Sequence, residues 1–518
     1  MLDRDDRSVP CVIVLEIFQY LDLYSLLKCR LVCSGFQYLI DTTANLQYKI
    51  ELPVAGQQDG SYGDMFTRQE MFKMHQKRWD GLQWTEVLRG PMMSNCRAWG
   101  VHGGVLAQAS SETYTLHLKR IPSQSRGIKE RNWILDLSTF LGEGPQMGDF
   151  GIDPGQDLLA IMASAGDSVR IHILTLSKGE RHPLTSGPCL VPHDLHFFDS
   201  WEQDLDWFFF DICHDFLSVY SMSCAVLWNW KTGQLLMRVV DSKITSMVFL
   251  NERYVLMAIT SETPCLLAVD FLAVSLEQRY LDELENYFIF RFPDISHSSP
   301  VDDIVIRSNP RSTWGADTDP SVPFSMLPQN RLFAVHLSSD NSTDAILCFA
   351  ILEASLLSLI KTGLRFNNNS FDWSMWGPEH SRALPDYSYS FLFPVSSHGT
   401  RLAMQRYLSH RGICVDIYDF NQLGCRNKTQ DSDVETPGNV NLSESSEITE
   451  GRPICVLGPT RIKTNFFRDE VDTRLGYSMS SWLVPGKTWH AGYMSAICSE
   501  DAVIIMDEYN QTFEIYTL

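Results

Sequence analysis

The sequence predicts an α+β multidomain protein, in which a small three-helix unit at the N-terminus precedes a much larger, mainly-β region. Two observations support this prediction. Within the first fifty residues, apolar side chains recur with the period of an α-helix. From about residue 99 onward, short stretches alternate apolar and polar residues and are separated by turn residues, as strands are. The 518 residues are 44% hydrophobic, so the chain can bury a large core.

The chain is acidic, with 42 Lys and Arg against 63 Asp and Glu and a formal net charge of −21. Nucleic acids and anionic membranes attract clustered Lys and Arg, and the sequence has no basic run. We therefore expect neither nucleic acid nor membrane as a partner. The charged N-terminus lacks the apolar segment of a secretory signal, and the 13 cysteines form no Cys-x-x-Cys pair. These features predict a protein of the cytoplasm or nucleus that is not secreted.

Residues 1–50 carry three helical patterns in succession. In the first pattern, Ile13, Ile17 and Leu21 recur four residues apart. A second pattern follows Asp22, which is well placed as an N-cap, and a third helix is predicted to open at Ser34 with a capping box. Three short helices cannot enclose this many large apolar side chains, so some of the side chains should face another protein.

The spacing of these residues resembles an F-box. The resemblance is carried by Val9-Pro10-x-x-Ile13-Val14-x-x-Ile17-Phe18-x-x-Leu21, then Leu26-Leu27, then Leu31-Val32-Cys33-x-x-Phe36-x-x-Leu39. Val12 stands where the family usually has Glu, and Val9 stands where Leu is commoner, but neither departure removes an apolar contact. With its composition and its divergent β region, the chain is similar to the large F-box families of basidiomycete fungi.

The F-box resemblance implies that this unit docks on a Skp-type adaptor. It assigns the docking surface, or the immediate support of that surface, to nine residues. These are Pro10, Ile13, Ile17, Phe18, Leu21, Leu26, Leu27, Val32 and Cys33. The alternative is a helical cap that only packs against the rest of the chain.

Residues 51–98 are predicted to form a linker with a connecting helix. The stretch 53–60 is polar and rich in turn residues, so it is predicted to be a loop. Thr67-Arg-Gln-Glu70 has the pattern of a capping box, and it would open a helix that contains Phe72 and Trp79. Because the linker separates two cores, we expect few contacts between residues 1–50 and the rest of the chain.

Residues 99–518 are predicted to form a β-propeller. Strand modules begin near residues 111, 169, 225, 265, 345, 414 and 512. The shortest spacing, 40 residues, is that of one four-stranded blade, and the longer spacings leave room for insertions. Seven modules therefore predict seven blades. The segment 225–233 resembles the end of a WD repeat, although Asn229 replaces the usual Asp. A pair of β-sandwiches is the alternative.

Two further features of the β region follow from the propeller prediction. A propeller closes by pairing the two ends of the chain in one blade, so we expect a strand near 82–87 to join residues 501–518. Two insertions, near 294–328 and near 424–452, are predicted to be loops, the first because of its prolines and the second because of its acidic, hydroxyl-rich composition.

No motif in the sequence predicts a catalytic, cofactor-binding or metal site. The strongest metal candidate is His193 with His196, downstream of Cys189, but a surface pair of histidines explains this pattern better. We therefore expect a protein that is not an enzyme and needs no cofactor.

These observations leave two hypotheses for the function. The first is a substrate-receptor subunit of a Skp–cullin–F-box ubiquitin ligase. The F-box would bind the Skp-type adaptor and, through it, a cullin-RING ligase, while one propeller face would hold a protein target that contains Lys and Arg. The second hypothesis is a propeller enzyme or ligand-binding protein whose helical N-terminus is purely structural.

Overall fold

The chain folds into a helical N-terminal unit, a linker and a ring of seven β-sheets. The computed structural model describes residues 9–60, 62–110, 112–141, 146–165, 168–187, 189–190, 208–221, 224–276, 280–296, 301–309, 322–339, 346–386, 397–408, 412–430, 453–486 and 494–518.

The N-terminal unit contains four helices rather than the predicted three. They are α1 (Cys11–Tyr20), α2 (Leu23–Arg30), α3 (Ser34–Thr42) and α4 (Ala44–Val54). Asp22 caps α2 as predicted, because its carboxylate accepts the Ser25 N–H at 2.8 Å. The cap of α3 is Cys33 rather than a Ser34 capping box. The fourth helix is needed because its Leu46 completes the buried core of this unit.

The linker joins the N-terminal unit to the β region through direct packing. It contains a short strand, Gln57–Asp59, and helix α5 (Met65–Gly81), whose N-cap is Asp64 and not the predicted Thr67. The short strand pairs with Phe324–Met326 of the β region. Tyr48 of α4 is buried in one cluster with Phe324, so the N-terminal unit reaches the β region as well as the linker.

The β region is a seven-bladed propeller, as predicted. Each blade is an antiparallel sheet, and neighbouring blades pack against one another through buried apolar side chains. The strands of blade 1 are Cys96–His102, Val105–Ser110, Thr115–Arg120 and Arg131–Asp136. Blade 2 contains Gln146–Asp153, Leu158–Ala165 and Ser168–Thr175, with single bridges from Arg181 and Leu190 at its outer edge. Blade 3 contains Phe208–Cys213, Phe216–Ser221, Cys224–Asn229 and Gln234–Val240. Blade 4 contains Ile244–Phe249, Tyr254–Ile259, Cys265–Asp270 and Tyr287–Arg291.

The last three blades carry the longer insertions. Blade 5 contains Asp303–Arg307, Leu332–Ser338, Ile346–Leu352 and Ser381–Asp386. Blade 6 contains Ser397–His398, Arg401–Leu408, Gly412–Asp419 and Tyr477–Leu483, with Ile454–Val456 as a fifth strand. Blade 7 contains Met494–Cys498, Ala502–Asp507 and Thr512–Thr517, and its outer strand is Glu86–Pro91 from the start of the propeller.

The ring closes in blade 7. Glu86–Pro91 pairs antiparallel with Thr512–Thr517. The prediction that the two ends of the propeller meet in one blade is therefore confirmed, and the propeller begins at residue 86 rather than at the expected residue 99.

The insertion predicted near 294–328 is not a simple loop. It contains the first strand of blade 5, Asp303–Arg307, whose Ile304 and Ile306 are buried in the core. The sequence predicted a loop here because the stretch contains several prolines and the alternating pattern of the strand is short. The insertion also provides Phe324–Met326, which pairs with the linker. Of the insertion predicted near 424–452, residues 424–430 belong to α9 (Gln422–Gln430) and residues 431–452 lie outside the described residues.

Helical insertions protect the outer edge of blade 4. The chain between the third and fourth strands of blade 5 forms α7 (Glu353–Phe366) and α8 (Trp373–His380), while α6 (Ser138–Leu141) is a single turn after blade 1. Between α7 and α8, Ser370–Phe371 pairs with the outer strand of blade 4. A hairpin from blade 6, Thr460–Ile462 with Val471–Thr473, lies beside the outer strand of blade 5. Such coverage removes free strand edges that could pair with other chains.

The propeller has two faces that differ in what they contact. The linker face carries the hairpins between the first and second strands, such as 103–104 and 499–501. The linker lies on this face, because Trp79 of α5 donates its indole N–H to the Glu500 carbonyl oxygen at 3.1 Å. Since strands alternate in direction, the connections between blades, and the hairpins between second and third strands, lie on the opposite side. We call that side the open face.

Candidate protein-binding surfaces

The predicted docking residues divide into an exposed group and a buried group. Pro10, Ile13, Ile17, Val32 and Cys33 are exposed, and the side chain of Ile17 is 52% accessible. Ile13 and Ile17 lie four residues apart, so they share one side of α1. Within the described part of the chain these side chains are exposed to solvent, so a partner could contact them.

The buried group supports the exposed one from below. Phe18 is 3% accessible and Leu26 is 0% accessible, while Leu21 and Leu27 are half-buried. Phe18 packs edge-to-face against Phe36 with ring centroids 5.1 Å apart. These residues hold α1 against α2 and α3 and so fix the positions of the exposed side chains.

Further exposed apolar residues enlarge this surface beyond the nine that the sequence indicated. Together with Ile13, Ile17 and Val32, they form what we call the N-terminal apolar surface. Its members are Val9, Val12, Ile13, Ile17, Tyr20, Tyr24, Leu31, Val32 and Tyr38. Tyr20 continues the side of α1 marked by Ile13 and Ile17, and this i, i+4, i+7 spacing was the signal that could have identified it.

A buried ionic network holds the linker on the propeller. Arg126, from blade 1, donates from Nε to the Asp501 carboxylate at 2.9 Å, and its Nη1 lies 2.9 Å from Glu500 Oε2. His75 of α5 lies 3.2 Å from the same Asp501 carboxylate. Glu500 also accepts the Met326 N–H at 2.9 Å. The network thus ties α5, blade 1, blade 7 and the strand paired with the linker into one cluster.

The surroundings of this cluster shift its pKa values in opposite directions. Burial alone would raise the pKa of Asp501, but Arg126 and His75 outweigh burial and hold that pKa below its ordinary value. For Glu500, burial dominates and raises the pKa. Burial also lowers the pKa of His75. Asp501 is therefore the carboxylate that most firmly carries the negative charge opposite Arg126.

A small cavity of about 60 Å³ lies at the linker end of the propeller channel. Ser325 and Met326 line it from the linker side, and His102 and His398 line it from blades 1 and 6. Burial lowers the pKa of His102 to about 4 and that of His398 to about 3. Both imidazoles are therefore neutral at pH 7. The linker and its paired strand cover the propeller at this end.

The open face is acidic in the described part of the chain. Its described loops are 92–95, 112–114, 137–141, 241–243, 260–264, 292–296, 301–302, 484–486 and 508–511. They contain six carboxylates and a single basic residue, namely Glu112, Asp241, Glu262, Asp294, Asp302, Glu508 and Lys243. A surface of this composition attracts cationic segments and repels acidic ones.

The metal candidate considered in the sequence lies mostly outside the described residues. His193 and His196 lie outside the described residues, whereas Cys189 is described and unpaired. Among the described residues, no three His, Cys, Asp or Glu side chains come together as metal ligands would. All 13 cysteines lie in the described part of the chain, and none of them forms a disulfide there. None of the described helices combines the length and apolar character needed to span a membrane.

A comparison with known protein families supports the first part of this architecture. Residues 7–50 match the F-box-like family model. The chain thus combines an F-box-like helical unit, which α1–α4 overlap, with a seven-bladed β-propeller. No curated protein sequence matches the chain significantly.

Two solved structures resemble the chain only distantly. The WD40 β-propeller domain of Doa1 is 11% identical with a TM-score of 0.34, and the alignment covers 84% of this chain and 96% of that one. Hsv2 of Kluyveromyces marxianus is 7% identical with a TM-score of 0.34, and that alignment covers 81% of this chain and 91% of the other. Similarity at this level carries no argument about function.

Proposed function

We propose that this chain is a substrate-receptor subunit of a Skp–cullin–F-box ubiquitin ligase, and that it is not itself an enzyme. The N-terminal apolar surface carries the proposal, because nine exposed large apolar side chains on so small a unit are typical of a protein-binding surface. Together with the F-box-like match over residues 7–50, it favours a Skp-type adaptor as the partner. The adaptor would link the chain to a cullin-RING ligase.

The propeller would hold the protein target on its open face. The linker already occupies the other face, and the acidic loops of the open face favour a target segment that contains Lys and Arg. The receptor would work by position, since it raises the effective concentration of a target lysine near the bound conjugating enzyme. This function places the chain in the cytoplasm or nucleus, where neither nucleic acid nor membrane is required as a partner.

The first prediction tests the adaptor surface. Replacing Ile17 by Asp should weaken adaptor binding at least tenfold. Burying an aliphatic side chain of this size is worth about 1.5–3 kcal/mol, and an unpaired carboxylate at the same place costs more. Binding is measured by titrating the purified chain with the adaptor. Asn45→Asp adds the same charge at an exposed position of α4 and should bind like the wild type. Equal affinities for wild type and Ile17→Asp would contradict the assignment.

The second prediction tests the acidic open face. The double variant Glu262→Gln and Asp302→Asn should capture targets several-fold less well than the wild type, because two of the six carboxylates lose their charge. Raising the ionic strength should weaken capture by the wild type more than capture by the variant, since salt screens exposed charges. Capture is measured from lysate with a chain that lacks the F-box-like unit up to residue 43.

The control for the second prediction is on the other face. Glu180→Gln removes an exposed carboxylate from the linker face, in the turn after Thr175, and should leave capture unchanged. Capture that is insensitive to salt, or equally reduced by Glu180→Gln, would contradict recognition through the charges of the open face.

A further inference from the structure

A cavity of about 400 Å³ lies on the linker face, where α4, α5 and blade 6 meet. Glu51 of α4 lines it, as do Phe72 and Gln76 of α5. Asp419 and Ser478, at the connection between the third and fourth strands of blade 6, line the opposite wall. This cavity shares no lining residue with the smaller cavity at the end of the channel. A molecule bound in it would contact the F-box-like unit, the linker and the propeller at once.

Two polar groups in the wall of this cavity lack partners. Glu51 Oε2 and Gln76 Nε2 are both buried, and neither has a hydrogen-bond partner among the described residues. Native proteins rarely leave a buried donor or acceptor unpaired, because such an atom has lost its hydrogen bonds to water without replacement. The pair consists of one carboxylate acceptor and one amide donor, so a molecule that satisfied both would need a donor and an acceptor of its own.

The opposite wall is held in place by hydrogen bonds within the protein. The Asp419 carboxylate accepts the Thr400 hydroxyl at 2.7 Å and the Asn421 N–H at 3.0 Å. The Asn421 side chain donates to the Val54 carbonyl oxygen at 2.8 Å and accepts the Gly424 N–H at 3.2 Å. This wall is therefore formed before any ligand arrives, and its polar groups are already engaged.

The charge of the lining favours a cation. Three carboxylates line the cavity against one ammonium group, namely Glu51, Asp80, Asp419 and Lys73. Negative charge in a concave site concentrates cations there. Phe72, which is 3% accessible, adds an aromatic side chain to the lining. The cavity thus combines negative charge, one unpaired acceptor, one unpaired donor and apolar surface, as the sites of small organic ligands do.

We propose that this cavity binds a small organic cation whose ammonium group pairs with Glu51 and whose neutral carbonyl accepts from Gln76. An α-amine beside an amide carbonyl is the simplest group with this chemistry, and it occurs in amino-acid amides and at the free N-terminus of a peptide. This inference goes beyond the proposed function. The adaptor would use the N-terminal apolar surface and the target would use the open face, and neither surface includes the cavity.

The test titrates the full chain with leucinamide in a calorimeter. Leucinamide carries the ammonium group, the adjacent carbonyl and a small apolar side chain, and it should bind saturably. N-acetyl-leucinamide keeps the shape but loses the charge, so it should bind about tenfold more weakly or less. A longer peptide that begins with Leu and has a free N-terminus distinguishes the sources of the ligand. Binding as tight as that of leucinamide would identify a peptide N-terminus, and weaker binding would identify a small free amine.

Three variants locate the binding. Glu51→Gln keeps the shape of the side chain but removes its charge, so it should weaken binding of leucinamide about tenfold or more. Lys73→Gln removes the like charge from an exposed position of the lining and should strengthen binding. Glu70→Gln removes a carboxylate from an exposed position of α5 that does not line the cavity, and it should bind like the wild type. Partial unfolding would not produce these opposite changes.

The contradicting outcomes are equally specific. Absence of saturable binding, equal affinity for the acetylated compound, or unchanged affinity in Glu51→Gln would overturn this inference. Ile17→Asp lies outside the cavity and should bind leucinamide like the wild type. A chain that fails to bind the adaptor but binds leucinamide would therefore overturn the proposed function alone, and the converse result would overturn this inference alone.

Discussion

Replacing Arg126 by Met should lower the free energy of unfolding by about 3–5 kcal/mol, which is the usual cost of removing one partner from a buried ion pair. Arg126 and Asp501 are both buried, and the variant would leave the Asp501 carboxylate without its main counter-charge. Glu500 would lose the same partner. The loss should appear as a shift of the urea unfolding transition to lower concentration, followed by tryptophan fluorescence.

An exposed ion pair of similar geometry provides the control for Arg126. Arg461 donates to Asp472 through Nε at 2.8 Å and through Nη2 at 3.1 Å, but the Arg461 side chain is exposed. Exposed pairs contribute little to stability, so Arg461→Met should shift the transition only slightly. If the two variants lost similar stability, the network would not be what holds the linker on the propeller.

Acid should destabilise the junction between linker and propeller. Burial keeps the pKa of His102 at about 4 and that of His398 at about 3, whereas both titrate near 6.5 in the unfolded chain. When the pKa of a group is lower in the folded state, its effect on the free energy of unfolding is fully favourable above pH 6.5, where the group is neutral in both states. That free energy then falls as the pH drops toward the pKa of the folded state, because the unfolded chain binds the proton first. At about pH 5, the lowered pKa of each imidazole should therefore reduce the free energy of unfolding by about 2 kcal/mol relative to its value above pH 6.5.

A variant that cannot be protonated isolates this effect from other titrating groups. His398→Gln should reduce the loss of stability between about pH 7.5 and pH 5 by about 2 kcal/mol, measured from urea unfolding at both pH values. Ser397→Ala removes a buried hydrogen bond to the Leu332 carbonyl oxygen beside His398, and it should lower stability equally at both pH values. A His398→Gln variant as sensitive to acid as the wild type would contradict burial of this imidazole as the cause.

Local patterns in the sequence were sufficient to predict the elements that form through local interactions. Asp22 signalled the start of α2, and the spacing of Ile13 and Ile17 marked one side of α1. The number of strand modules predicted the number of blades. The spacing did not show which of the nine predicted docking residues are exposed and which are buried beneath them. Ile17 and Phe18, for example, are adjacent apolar residues, and they differ only in the direction of their side chains.

Contacts between distant parts of the chain were beyond the reach of these patterns. Trp79 and Glu500 are separated by 421 residues, and no local pattern connects them. Phe324–Met326 is a three-residue strand in a proline-containing stretch, and it becomes a strand because the linker offers Gln57–Asp59 as a partner. The acidity of the open face likewise depends on topology, which places loops that are distant in the sequence on one side of the propeller.

Closure of the ring by Glu86–Pro91 sets the order in which the parts of the chain can fold during synthesis. The F-box-like unit and its core are complete once α4 has left the ribosome, since all of that core comes from residues before 55. Blade 7 needs residues up to 517, and its outer strand must wait for partners such as Glu514, which lies 425 residues after Arg89. The N-terminal apolar surface therefore exists long before the open face does. If the proposed function holds, an adaptor would be able to bind the nascent chain during that interval, and the apolar surface would not stay exposed while the ring remains open.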